Sequence, residues 1–113
     1  SGLKIDNIVS VNATSYGSFV SGVKSRLSLN NSSVNINSST AVVISLNEGS
    51  IDIKNNTFGI YGKKGRIAEI FNSEGTIKNN YLKADLTIPS NIYPIYIDKE
   101  SSVLEVNNEA YGF

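Results

Sequence analysis

Apolar residues in this chain fall on alternate positions in short runs, and the runs close on asparagine. The pattern apolar-x-apolar-x-Asn occurs as Leu3-Lys4-Ile5-Asp6-Asn7, Leu27-Ser28-Leu29-Asn30-Asn31 and Ile51-Asp52-Ile53-Lys54-Asn55. It returns as Gly75-Thr76-Ile77-Lys78-Asn79, with glycine in place of the first apolar residue, and as Leu104-Glu105-Val106-Asn107-Asn108. The closing asparagines are Asn7, Asn31, Asn55, Asn79 and Asn108, and the intervals between them are 24, 24, 24 and 29. Other apolar columns keep this phase. Three positions after the asparagine stand Val34, Phe58, Leu82 and Tyr111; thirteen after it stand Val20, Ile44, Ala68 and Ile92, with Ile95-Tyr96-Ile97 the better match in the longer fourth unit.

Each unit therefore holds three short stretches of period-two alternation separated by turn-forming residues, which predicts three short β-strands per unit. No stretch sustains a helical period over ten residues, and the β-branched, Asn, Ser and Gly content disfavours helix. An equal period places each residue above its counterpart one unit earlier. That is the logic of a β-solenoid, in which apolar columns fill a narrow core and successive coils stack through parallel strands about 4.8 Å apart. The expected fold is all-β, a parallel β-helix of four to five coils with about 24 residues in each.

The asparagine column has a physical reason. A sharp bend between strands needs a residue that tolerates left-handed backbone angles, and asparagine is the best non-glycine choice. Stacked side-chain amides can also bond from coil to coil and satisfy one another inside the stack. The column Asn7, Asn31, Asn55, Asn79 and Asn108 is thus expected to be a structural ladder rather than a ligand site.

Composition narrows the functions. Asn (15) and Ser (17) supply over a quarter of the 113 residues, while ten basic and ten acidic side chains cancel. A balanced charge lacks the electrostatic footprint of a nucleic-acid binder. His, Cys and Met are absent, which excludes Ser-His-Asp and Cys-His catalysis, zinc fingers and disulfides. The longest apolar run, Ala41-Val42-Val43-Ile44, is too short for a transmembrane helix. No metal site or cofactor is expected. The short basic stretch Lys63-Lys64-Gly65-Arg66 reads as a solvated turn, and the Asn-x-Ser/Thr sequons at Asn12, Asn30, Asn31, Asn37 and Asn55 follow from composition.

The unit running from Val43 to Phe58 resembles the repeat of right-handed parallel β-helix proteins, the pectate-lyase-like superfamily. Its second corner often has the form I-x-N-N-x-F, which Ile53-Lys54-Asn55-Asn56-Thr57-Phe58 and Ile77-Lys78-Asn79-Asn80-Tyr81-Leu82 match closely. The resemblance spans nearly the whole chain. It implies first strands at 19–22, 43–46, 67–70 and 95–97, third strands near Val34, Phe58, Leu82 and Tyr111, and variable turns at 37–42, 61–66 and 84–93. It implies residues 1–113 as a single β-helix segment, part of a longer solenoid, in a protein secreted by or displayed on the surface of a bacterium. It implies function only broadly, because the superfamily holds lyases, hydrolases, epimerases, tailspikes and adhesins.

Such proteins usually contact polysaccharide along the outer face of the first strands. Here that face would carry Ser45, Asn47, Glu69, Phe71, Tyr96 and Asp98, where rings can stack on sugars and carboxylates and amides can bond hydroxyls. A further strip of Tyr81, Tyr93, Tyr96 and Tyr111 could do the same or cap core columns. As an enzyme the segment would depend on Glu69 and Asp98, carboxylates on adjacent coils that could form an acid pair, with Arg66 or Lys64 from a turn. The resemblance therefore leaves two readings. One is a non-catalytic structural or binding segment that contacts polysaccharide or cell-surface glycan; the other is a polysaccharide lyase or glycoside hydrolase fragment. A short solenoid also exposes core at its ends, so end-to-end self-association is expected unless more coils cover them.

Overall fold

The computed structural model describes residues 2–6, 11–13, 17–88 and 93–113. Among these, every regular element is a strand: β1 Gly2–Asp6, β2 Val11–Ala13, β3 Gly17–Val23, β4 Arg26–Asn30, β5 Ser33–Asn47, β6 Ser50–Lys54, β7 Thr57–Phe71, β8 Glu74–Lys78, β9 Tyr81–Leu86, β10 Ile95–Ile97, β11 Ser102–Val106 and β12 Glu109–Tyr111. The pairings among them are parallel. One sheet runs β1-β4-β6-β8-β11 and a second runs β12-β9-β7-β5-β2, with β3 on β5 and β10 on β7. Leu27 pairs with Ile51, Val34 with Phe58 and Ile44 with Ala68, each exactly one sequence period apart. The chain is a β-solenoid of about four turns.

The alternation seen in the sequence is the burial pattern. Leu27, Leu29, Ile51, Ile53 and Ile77 line the core from the first sheet; Val34, Ile36, Phe58, Ile60 and Leu82 line it from the second; Val20, Ile44, Leu46, Ala68, Ile70 and Ile95 close it. Each large aliphatic or aromatic side chain among them contributes about 1.5–3 kcal/mol by leaving water.

The expected turns at 37–42 and 61–66 are not loops. The third strand of one coil continues into the first strand of the next, giving the 15-residue strands β5 and β7, and Asn37, Ser38 and Thr40 pair with Tyr61, Gly62 and Lys64 across them. Fifteen extended residues would span about 50 Å, more than the 34 Å longest dimension of the molecule, so both strands must bend. The bend is marked by consecutive buried residues, Val43-Ile44 in β5 and Ile67-Ala68 in β7, which a flat strand cannot both turn inward. Turn-forming residues do not force a loop when neighbouring coils offer a partner for every backbone group.

Both bends that are true corners use left-handed residues. Asn31, Asn55, Asn79 and Asn107 have φ between 53° and 59°, as expected of the asparagine column. The fourth unit, however, is one residue shorter here than the motif spacing implied, since Val106 pairs with Lys78. The corner asparagine of coil five is therefore Asn107 rather than Asn108, and Ala110, not Tyr111, stands above Leu82. The excess of this unit over the regular period falls in two places. Most of it lies between Leu86 and Ile95 and the remainder in the corner before Ser102, as the pairings Gly62 with Leu86, Ala68 with Ile95 and Glu74 with Ser102 show. Asn7 and Ile92 lie outside the described residues.

The amide ladder runs one position beyond the corner. Asn56 accepts at Oδ1 from the Ser32 N–H (2.9 Å), and its own N–H and Nδ2 donate to Asn80 Oδ1 (both 3.0 Å). Asn80 repeats this with Asn108 Oδ1 at 3.1 and 2.9 Å. The Nδ2 groups of Asn56, Asn80 and Asn108 also cap the carbonyls of Leu29, Ile53 and Ile77 in turn. Asn55 and Asn79 thus supply the left-handed bend while the buried Asn56 and Asn80 supply the side-chain bonds. The sequence offered both members of each Asn-Asn pair, and the division of labour follows from which one points inward.

A second corner repeats the arrangement with other residues. Lys24, Glu48 and Asn72 are left-handed, with φ of 53°, 57° and 47°. The residue after each of the last two takes part in a serine ladder: the Gly49 N–H donates to Ser73 Oγ (3.0 Å) and the Ser73 N–H to Ser101 Oγ (2.9 Å). Lysine and glutamate carry a steric cost at such angles that asparagine largely avoids. Glu48→Asn is expected to stabilise the fold by about 0.5–1 kcal/mol, seen as a higher urea midpoint. A lower midpoint would show that the exposed Lys24–Glu48 pair, 3.9 Å apart, outweighs the strain.

Candidate functional site

Residues 42, 45 and 47 of β5 turn outward, and register carries the same positions into the next coil. Ser45 lies beside Glu69, and Glu69 beside Tyr96; Asn47 lies beside Phe71, and Val42 beside Arg66. Five of the six expected contact residues, Ser45, Asn47, Glu69, Phe71 and Tyr96, therefore share one outer face, and Asp98 follows immediately at its corner.

Phe71 sits one diagonal step from Tyr96 across the β7–β10 pair, a spacing that aromatic rings can bridge. Their centroids are 5.6 Å apart at 48°. The Arg66 guanidinium lies 5.2 Å from the Tyr96 ring centre, and its Nε is 3.9 Å from Glu69 Oε1. The ring pair contributes about 0.5–1.5 kcal/mol beyond its burial. At 3.9 Å between partly exposed groups the ion pair adds little. The result is a half-buried platform with two rings, one cation and one carboxylate, in which Glu69 offsets the charge of Arg66. Asn47 is exposed beside it and Ser45 is half-buried.

Asp98 is committed to the corner. Its Oδ1 and Oδ2 accept from the Asn72 N–H at 3.0 and 3.2 Å, and its Oδ1 also accepts from the Ser101 hydroxyl at 2.6 Å. The Ser101 hydroxyl bond above all, aided by backbone N–H donors, holds the carboxyl below the usual aspartate range, against a smaller opposing effect of desolvation. The carboxylate braces a corner that carries an extra residue, just after the strands bearing Phe71 and Tyr96. Among the described residues no group of three or more His, Cys, Asp or Glu is placed to hold a metal ion.

The stretch Lys63-Lys64-Gly65-Arg66 is strand rather than turn. Lys63 and Lys64 are exposed, while Arg66 joins the aromatic platform. The signal for this was Arg66 standing three residues before Glu69, a separation that only a bent strand brings within contact. Of the tyrosines, Tyr81 and Tyr111 form a pair of their own at 5.3 Å on the outside of the β9–β12 sheet. Tyr93 is 75% exposed near the last coil, so the four tyrosines do not make one strip.

A groove of about 560 Å³ runs along the second corner between Lys24, Arg26, Glu48, Glu74 and Glu100. It is open, mixed in charge and without an aromatic wall. No protein-family model, curated protein or solved structure matches the chain.

Proposed function

We propose that this chain is a non-catalytic segment of a right-handed, pectate-lyase-like β-helix protein, secreted or displayed on a bacterial surface, that contacts carbohydrate through the face bearing Phe71, Tyr96, Arg66 and Glu69. The observation that carries this reading is the Phe71–Tyr96 pair with Arg66 over the second ring. Paired rings on a rigid sheet offer a flat apolar surface, and the adjoining guanidinium, carboxylate and Asn47 amide offer donors and acceptors at its rim. That mixture suits a sugar ring, which has apolar faces and a polar edge. The alternative reading, a lyase or hydrolase fragment working through Glu69 and Asp98, has less support. Each of those carboxylates has a protein partner, Arg66 for one and Asn72 with Ser101 for the other.

The test is affinity electrophoresis of the whole chain through gels containing polygalacturonate, xylan or mannan. Retardation by at least one polymer is expected, with binding weakened about tenfold by Tyr96→Ala, which corresponds to the roughly 1.4 kcal/mol that one ring contact supplies. No retardation in any gel, or equal retardation of wild type and Tyr96→Ala, would overturn the reading. Release of unsaturated uronides that disappears in Glu69→Ala would favour the enzyme instead.

A further inference from the structure

The second sheet carries aromatic rings at another place, on the outer face of its third strands. Phe58, Ile60 and Leu82 turn into the core, so Thr57, Gly59, Tyr61, Tyr81 and Lys83 turn outward, sideways from the axis along which coils stack. Register sets Tyr81 beside Thr57, Lys83 beside Gly59, and Glu109 and Tyr111 beside Tyr81 and Lys83. Tyr81 and Tyr111 are thus diagonal neighbours across the β9–β12 pair, within reach of one another. Their ring centroids are 5.3 Å apart at 32°, and the Tyr111 hydroxyl donates to Glu109 Oε2 at 3.3 Å. The two residues are 41% and 53% exposed.

A third ring lies on the same face. Tyr61 folds back over Gly59, where an added β-carbon would stand 2.9 Å from the Tyr61 hydroxyl and 3.1 Å from its Cε2, and would run into Asn35 Oδ1. The Tyr61 hydroxyl reaches that same Asn35 Oδ1 at 3.5 Å. Gly59 is not in a left-handed conformation, so the backbone does not require glycine there. What the missing side chain provides is a seat on which the ring lies flat. Lys83 stands between this ring and the Tyr81–Tyr111 pair, with Glu109 beside Tyr81 and Asp85 beside Tyr61.

We propose that this third-strand face is a second glycan-binding surface, and that it takes a neutral polysaccharide. Tyrosine rings offer an apolar body to the face of a sugar and a hydroxyl to its edge. The Asn35 amide and the Lys83 ammonium add an acceptor and a donor at the rim. The charges decide the class of polymer. Lys83 is outnumbered by Glu109 and Asp85 on the same face, so an acidic chain would meet like charge, whereas a neutral one meets only hydrogen-bonding groups. β7 carries Tyr61 before its bend and Phe71 at its end, so one rigid strand links this surface to the Phe71–Tyr96 platform. A polymer held at both binds more tightly than at either, without any new contact. The inference rests on the reading of the chain as carbohydrate-contacting but uses none of that platform's rings.

Affinity electrophoresis of the whole chain in xylan and mannan gels tests this, with polygalacturonate as the charged comparison. Retardation by a neutral polymer is expected, and Tyr81→Ala and Tyr61→Ala are each expected to weaken it about fivefold. The retardation left in Tyr96→Ala is expected to vanish when Tyr81→Ala is added. Tyr111→Ala replaces Tyr81→Ala should the latter fail to fold by circular dichroism. If Tyr81→Ala and Tyr61→Ala migrate as wild type in gels where Tyr96→Ala is weakened, this proposal is overturned and the Phe71–Tyr96 reading stands. The reverse pattern overturns that reading and keeps this one. Retardation by polygalacturonate alone, or a lower unfolding midpoint of Tyr81→Ala with unchanged retardation, would also sink the second surface. Absence of retardation of wild type in every gel would remove both.

Discussion

Asn80→Ala is expected to destabilise the solenoid by about 3–5 kcal/mol, a large share of the stability of a domain this size. The side chain is buried, and the residue takes part in five bonds of the amide ladder. Its truncation strands the Asn56 N–H and removes one partner each from Asn56 Nδ2, the Ile53 carbonyl and the Asn108 Oδ1. Each unsatisfied buried group costs about 1–3 kcal/mol, and water cannot reach them without opening the stack. The neighbouring Asn79→Ala is the contrast. Asn79 is exposed, and its φ of 58° makes alanine unfavourable, but only by about 1 kcal/mol. Urea unfolding of both variants decides the matter. If Asn79→Ala proved the more damaging, the ladder would not run through the second asparagine of each pair.

Gly75→Ile restores the residue that the repeat dictates and is nonetheless expected to cost about 3 kcal/mol or more. Glycine at this position looks like a flaw in the apolar column Leu27, Ile51, Gly75, Val103. Its backbone explains it: φ is 138°, a conformation essentially closed to residues with a side chain, and a β-carbon there would run into the carbonyl oxygen of Ile51 on the adjacent coil. Backbone cannot yield as a flexible side chain would. A fall in the thermal midpoint is the expected result, and an unchanged or higher midpoint would show that β8 can relax to the geometry of β6.

The period, the parallel stacking and the core columns were legible because burial on a stacked coil recurs once per coil, and Leu29, Ile53 and Ile77 announce it. What remained hidden depended on backbone pairing rather than on residue type. Asn37-Ser38-Ser39-Thr40 has the composition of a loop, yet it is strand because Tyr61-Gly62-Lys63-Lys64 lies alongside to receive its hydrogen bonds. The slip from Asn107 to Asn108 arose because Leu104 and Val106 alternate in phase with Asn108, whereas the pairing of Val106 with Lys78 puts Val103 and Glu105 on the inward columns and Asn107 at the corner. At the candidate site, the shared face of Glu69, Phe71 and Tyr96 followed from register alone. The engagement of Asp98 with Asn72 and Ser101 did not, since it depends on the extra residue in that corner. The second column of left-handed residues gave no compositional signal, because Lys24 and Glu48 are poor choices for it.

In-phase stacking also sets how this chain can change length. A deletion or insertion of one residue inside β6 or β7 would move every later side chain to the wrong face. Among the described residues, the pairing offset changes from one strand to the next and not within a strand, as at Val11 with Val34, Ala68 with Ile95 and Glu74 with Ser102. A whole one-coil cassette spliced between Asn55 and Asn79 would preserve every column and lengthen the rod by about 4.8 Å, which makes the molecule a ruler graduated in single coils.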